Sequence, residues 1–207
     1  MDSFIPINYL GGGSFGKVYL VKTKSTGKYY AMKVLSKKKT KVENLWRYIY
    51  AERNIQSMVR HPFIVKLRCA FQTKGSFVMI MDYYPGGDLG HLLREEKKFT
   101  EERARMYIAE VILAIEELHK KEIIYRDLKP ENVLIDSQGH IALTDFGLSK
   151  EGVKYHDFTK SFCGSVAYLA PEILNDAGHS RSVDWYLVGV MFYAMIIGIP
   201  PYYNKIR

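Results

Sequence analysis

With 207 residues, 47% of them hydrophobic and 25% charged, the chain can bury one sizeable core, which excludes a disordered segment or a fold that depends on disulfides. A formal charge of +8 suits nucleotides or other acidic partners without naming one. Only two cysteines (Cys69 and Cys163), and a start, Met-Asp-Ser-Phe-Ile-Pro, with neither a basic nor an apolar region, exclude a secreted scaffold, so a cytoplasmic or nuclear setting is expected.

The first motif in chain order is Gly11-Gly12-Gly13-Ser14-Phe15-Gly16-Lys17-Val18, which fits G-x-G-x-x-G-x-V. Backbone without side chains can close over phosphates and offer its N–H groups. A dinucleotide-binding turn shares this spacing but needs a helix straight after the third glycine, whereas residues 17–21 read as strand. Strands are predicted at 19–21, 29–35, 63–71 and 77–82, rich in β-branched and aromatic residues and separated by turn residues. The Lys37-Lys38-Lys39 cluster with Lys41 reads as a solvated loop, and no nucleic-acid partner is expected from it. A helix is predicted over 42–58, with Leu45, Ile49, Glu52 and Ile55 at helical spacing.

From Gly86-Gly87, read as a hinge, the pattern turns helical. Its clearest case is 100–120, opened by Thr100 and two glutamates and carrying a stripe through Ala104, Tyr107, Ile108, Val111, Ile115 and Leu118. The longest uncharged run, 185–204, is interrupted by Gly189, Gly198, Pro200 and Pro201 and predicts a buried core helix rather than a transmembrane segment. Within it, 186–199 is apolar nearly all round, which implies burial on every side. A β-rich part thus precedes an α-rich part.

Lys33 lies inside an apolar strand, where an unpaired ammonium is costly, so it needs anionic partners, and Glu52 on the following helix is the candidate. Further on come Tyr125-Arg126-Asp127-Leu128-Lys129-Pro130-Glu131-Asn132, then Asp145-Phe146-Gly147, then Ala170-Pro171-Glu172. In that order, after the glycine loop, these motifs resemble the signature set of the eukaryotic protein kinase family. Tyr-Arg-Asp in place of His-Arg-Asp, Thr144 before Asp145, and Ser161-Phe162-Cys163-Gly164-Ser165 are similar to the AGC group around protein kinases A and B.

The resemblance implies an α+β, bilobal protein-kinase-like fold: a β-rich N-lobe with one key helix to about residue 81, a hinge over 82–88, and an α-rich C-lobe over 89–207 that is incomplete and prone to aggregate. It implies an ATP-dependent protein serine/threonine kinase acting on Ser/Thr hydroxyls in basic contexts, with a catalytically impaired nucleotide-binding or scaffolding module as the alternative. ATP and Mg²⁺ are the implied cofactors, and protein substrates and an upstream activating kinase the implied partners.

By the same resemblance Asp127 takes the hydroxyl proton, Asn132 and Asp145 hold magnesium, and Lys33 (with Glu52) and Lys129 face the phosphates. Gly11, Gly13, Ser14, Phe15 and Gly16 would cover the phosphates, Val18, Ala31 and Leu134 would hold the adenine, and Met81 would act as gatekeeper beside Asp82 and Tyr84. Asp88 and Glu131 would touch the ribose and a substrate arginine, and Thr144 would close the nucleotide site. Ser161 is the implied regulatory phosphosite, with Thr159 as a rival and Arg126 and Lys150 as its pocket. Gln56 departs from the pattern by interrupting an apolar column with Leu67, Phe146 and Tyr125; Val166, Ala167 and Ala194 replace a proline and two acids; and Tyr48 replaces a histidine.

Overall fold

The computed structural model describes residues 3–13, 16–155, 157–161, 163–175 and 178–203. Five antiparallel strands come first: β1 Phe4–Gly13, β2 Gly16–Thr23, β3 Tyr29–Ser36, β4 Leu67–Gln72 and β5 Ser76–Asp82, in spatial order β1-β2-β3-β5-β4. The two-residue period of β3 divides its side chains: Met32 joins Val21, Val78 and Ile80 on one face, while Leu35 packs with Met79 and Ile49 on the other. Lys33 shares the second face and stands between Val18 of β2 and Met79 of β5.

The sheet differs from the sequence expectation at two places. β1 was not predicted, because register shifts between Pro6 and Asn8 and between Tyr9 and Gly11 break its alternation and leave Ile5, Ile7, Tyr9 and Leu10 exposed. Residues 63–66, expected to be strand, lie outside the sheet, and Phe63 and Val65 instead exchange backbone hydrogen bonds with Leu143 at 2.9 Å.

The lysine cluster is helix rather than loop: α1 Lys37–Val42, started by Ser36 Oγ, which accepts from the Lys39 amide. Asn44, in the left-handed region at φ 51°, separates it from α2 Trp46–Met58, so the single helix expected over 42–58 begins later. Next come α3 Leu89–Glu96, capped by Asp88, and α4 Glu101–Lys120, capped by Thr100.

A 3₁₀ turn, Pro130–Asn132, leads into the hairpin of β6 Val133–Ile135 and β7 Ile141–Leu143, and α5 Pro171–Leu174 and α6 Ser182–Ile197 follow. The largest core lies here, where α4 contributes Val111, Ile115 and Leu118 and α6 contributes Leu187, Met191 and Met195 around Tyr125, Leu128 and Phe146. Within the apolar run 186–199, Tyr193, Ile197 and Ile199 are 43%, 51% and 44% exposed, while α4 covers the other side of α6. Among the described residues no helix is long and apolar enough to cross a membrane.

Candidate active site

A cavity of about 510 Å³ opens between the sheet and the helical part. Gly11, Gly12, Gly16, Val18 and Ala31 line it from the sheet, Met81 to Pro85 from the connecting segment, and Asp88, Glu131, Asn132, Leu134, Thr144 and Asp145 from below. The glycines have a steric reason to be there. A Cβ on Gly16 would lie 2.5 Å from the Val34 carbonyl oxygen, and one on Gly86 would lie 2.8 Å from Ile135, against which the connecting segment is pinned by the Gly86 amide. Asp82 is fixed by a bidentate pair from Arg68, at 2.6 and 2.8 Å. Burial, with Asp82 nearby, pushes the Tyr84 phenol up to about 12.

Lys33 Nζ donates to both carboxylate oxygens of Glu52, at 2.6 and 2.7 Å, and lies 3.7 Å from Asp145 Oδ1. Burial works against the ammonium, but Glu52 and then Asp145 outweigh it and hold Lys33 above its ordinary pKa. Two anions therefore keep one cation charged on the cavity wall.

Asp127 is 7% exposed and held from three sides. Asn132 Nδ2 donates to Oδ2 at 2.9 Å and to the Asp127 carbonyl at 2.8 Å, Lys129 Nζ donates to Oδ2 at 3.0 Å, and Ser165 Oγ donates to Oδ1 at 3.1 Å. Lys129 also donates to Ser165 Oγ at 2.9 Å. The loop that carries Asp127 is tied to α6 through Asp184, which is fully buried and accepts from the amides of Tyr125 and Arg126 at 2.9 and 2.8 Å. His119 Nε2 lies 2.7 Å from the same carboxylate. Arg126 and Asp145 both adopt left-handed backbone, at φ 69° and 58°, a strain that their surroundings must enforce.

Arg126 Nη1 donates to Ser161 Oγ at 2.5 Å, while Lys150 Nζ donates to Thr159 Oγ1 at 2.5 Å. Thr159 is 3% exposed and pairs its backbone with His179, whereas Ser161 is exposed. The two candidate phosphosites thus differ in access, and Lys150 sits with the buried one. Burial holds Arg126 below its ordinary pKa.

Asp127 and Lys129 stand outside the cavity lining, while Ser14, Phe15 and Phe162 fall outside the described residues. Leu10 and Val65 line the cavity without having been singled out from sequence. Nor were His119, Arg94, which reaches Glu131 at 3.3 Å, or Glu110, which accepts from the Ile141 amide at 2.9 Å and lies 2.6 Å from His140 Nδ1. Each of these contacts joins residues 30 or more positions apart, where no local pattern speaks. Ala194, which replaces an acid of the family pattern, is fully buried.

A divalent cation is implied by this chemistry, and the donor set fits one. Asn132 commits its nitrogen to Asp127, and Asp145 is 33% exposed in its side chain, so both can offer oxygen, the ligand that hard cations take. Among the described residues no cluster of three or more His, Cys, Asp or Glu could hold a metal.

Residues 4–207 match the family described as protein kinase domain. The chain is 50% identical over 200 residues to the RAC family serine/threonine-protein kinase homolog of Dictyostelium discoideum, covering 96% of this chain and 45% of that protein. It is also 50% identical over 200 residues to human Serine/threonine-protein kinase Sgk2, covering 96% and 54%, and 50% identical over 204 residues to human Ribosomal protein S6 kinase alpha-6, covering 97% and 27%. It spans about half or less of the length of these curated relatives.

Proposed function

The chain belongs to the protein kinase domain family, and on that footing we propose that it transfers the γ-phosphate of Mg-ATP to serine or threonine hydroxyls of protein substrates in basic contexts. The observation that carries this reading is the Asp127 carboxylate, buried, oriented by Asn132, Lys129 and Ser165, and set beside a cavity whose wall holds the Lys33–Glu52 pair. Residues to about 81, 82–88, and 89 onward act as N-lobe, hinge and C-lobe, and the setting is cytoplasmic or nuclear.

Phosphoryl transfer asks the protein mainly for positioning and for charge on the phosphate oxygens. Oδ2 of Asp127 already receives two donors and Oδ1 only one, so Oδ1 keeps room for the substrate hydroxyl. As that oxygen attacks, Asp127 accepts its proton. Lys33, kept charged by Glu52, faces the α- and β-phosphates, and Lys129 faces the transferred group. Gly11, Gly12 and Gly16 let backbone approach the phosphates closely, and Val18, Ala31 and Leu134 enclose the base. Asn132 and Asp145 would hold magnesium, which supplies positive charge on the phosphate oxygens when bound. Ser161 is the regulatory phosphosite, addressed by an upstream kinase.

The test is transfer of labelled γ-phosphate to a panel of basic peptides by the parent and by Asp127→Ala. A general base contributes about 10²–10⁴-fold, so the variant should lose at least that much turnover while binding nucleotide with near-parent affinity. Equal turnover in the two would remove the assignment.

A further inference from the structure

Gln56 lies one helical turn beyond Glu52 on the buried face of α2 and is 2% exposed. Its Nε2 lies 3.6 Å from Met81 Sδ, a weak acceptor, and its Oε1 has no hydrogen-bond partner among the described residues. Exchanging the two ends of the amide does not cure this, since a thioether offers no proton and the displaced nitrogen would then be the group left over.

An amide atom buried without a partner disfavours the state that buries it, by a factor of about ten or more in population. Which state pays is set by geometry. Glu52 and Gln56 project from the same buried face, one turn apart, so a movement of α2 that withdraws Glu52 from Lys33 carries the Gln56 amide with it. Ile49 and Ile55 on this face favour docking, and Gln56 opposes it. Two further features weaken the docked state. α2 has no side-chain cap and no acidic residue in its first turn, and Asp145 Oδ1 at 3.7 Å gives Lys33 a second anion when Glu52 leaves.

We propose that Gln56 is a positioning residue that holds the docking of α2 near balance, so that the Lys33–Glu52 pair is only partly formed in the nucleotide-free chain and is completed when nucleotide binds. This deepens the kinase reading and rests on it. Nucleotide affinity is therefore lowered by the fraction of molecules with α2 undocked, and turnover at saturating nucleotide is not.

The experiment compares the parent with Gln56→Leu and Gln56→Met by hydrogen exchange of residues 46–58 in the nucleotide-free chain and by steady-state kinetics with Mg-ATP and a basic peptide. Both variants should slow exchange about tenfold and lower KM for ATP by a similar factor, with kcat changed less than twofold; Gln56→Glu should move both readouts the other way. A purely structural role would raise Tm and leave exchange of α2 and KM for ATP at parent values, and that result overturns the proposal, as does failure of both apolar variants to fold. If exchange shifts as expected while no chain in the series transfers phosphate, the kinase reading fails and the role of Gln56 in docking stands.

Discussion

Arg94 of α3 reaches across to the Glu131 carboxylate at 3.3 Å, so an acid that the sequence offers to a substrate arginine already has an arginine of its own. The pair is exposed, with side chains 62% and 47% accessible, and such pairs contribute about 0–1 kcal/mol. Arg94→Ala should therefore raise kcat/KM for peptides with an arginine upstream of the acceptor by up to about fivefold and leave an arginine-free control peptide unchanged. Equal responses of the two peptides would mean that Arg94 does not compete for Glu131.

Removing Glu52 alone strands an ammonium that, among the described residues, is left with Asp145 at 3.7 Å. Breaking a buried pair in this way costs about 3–5 kcal/mol, whereas replacing both partners with apolar groups is often neutral. With α2 held near balance and Asp145 left to answer Lys33, Glu52→Ala should lose less than that range in urea unfolding, and Lys33→Met with Glu52→Leu should recover most of the loss with no phosphate transfer. A double variant no more stable than Glu52→Ala would show that packing, not charge, holds α2.

Phosphate on Ser161 adds about −1.5 to −2 charge within reach of Arg126, which already donates to the hydroxyl at 2.5 Å. Phosphorylation should raise activity by about 5–150-fold, the span of ordinary coupling energies, and Ser161→Ala should abolish the response. Thr159 is buried and bonded to Lys150, so Thr159→Ala should keep the response and instead lower stability by about 1 kcal/mol. Mapping of the phosphate to Thr159 by mass spectrometry would reverse these roles.

His140 carries a pH signature. Its hydrogen bond with Glu110, and then the charge of that carboxylate, raise it above the ordinary 6.5. Because the folded value is raised, the stabilisation is fully present below pH 6.5 and is lost as pH rises through the raised value. The parent should exceed His140→Gln in urea midpoint at pH 5.5, and the two should converge by pH 8.5. A gap that widens with rising pH would contradict the pairing.

How far the sequence could be read follows from how local each feature is. The β-rich and α-rich order, and α4 with its Thr100 cap, come from patterns contained within about twenty residues. β1 escaped because two register shifts hide its period, and the break at Asn44 escaped because a single left-handed residue has no repeat to betray it. In the site, the residue types stand in contiguous motifs, but partners do not. An apolar strand says that Lys33 needs an anion and the following helix offers Glu52, whereas Asp145 as its second anion, and the tie of His119 to Asp184 across 65 positions, depend on how strands and helices are laid together. Gln56 was legible as an interruption of an apolar column, and its orphaned oxygen was not.

Asp184 also bears on the order in which the molecule is made. The amides of Tyr125 and Arg126 find their acceptor 59 and 58 positions later in the chain. At roughly 5–20 residues per second of synthesis, the loop carrying Asp127 waits about 3–12 seconds on the ribosome for the carboxylate that shapes it. The sheet, whose pairings all lie within the first 82 residues, has no such wait. Nascent chains stalled before Asp184 should thus resist protease across the sheet and be cut at residues 125–129, and protection of both regions at that length would show that the loop forms without its anchor.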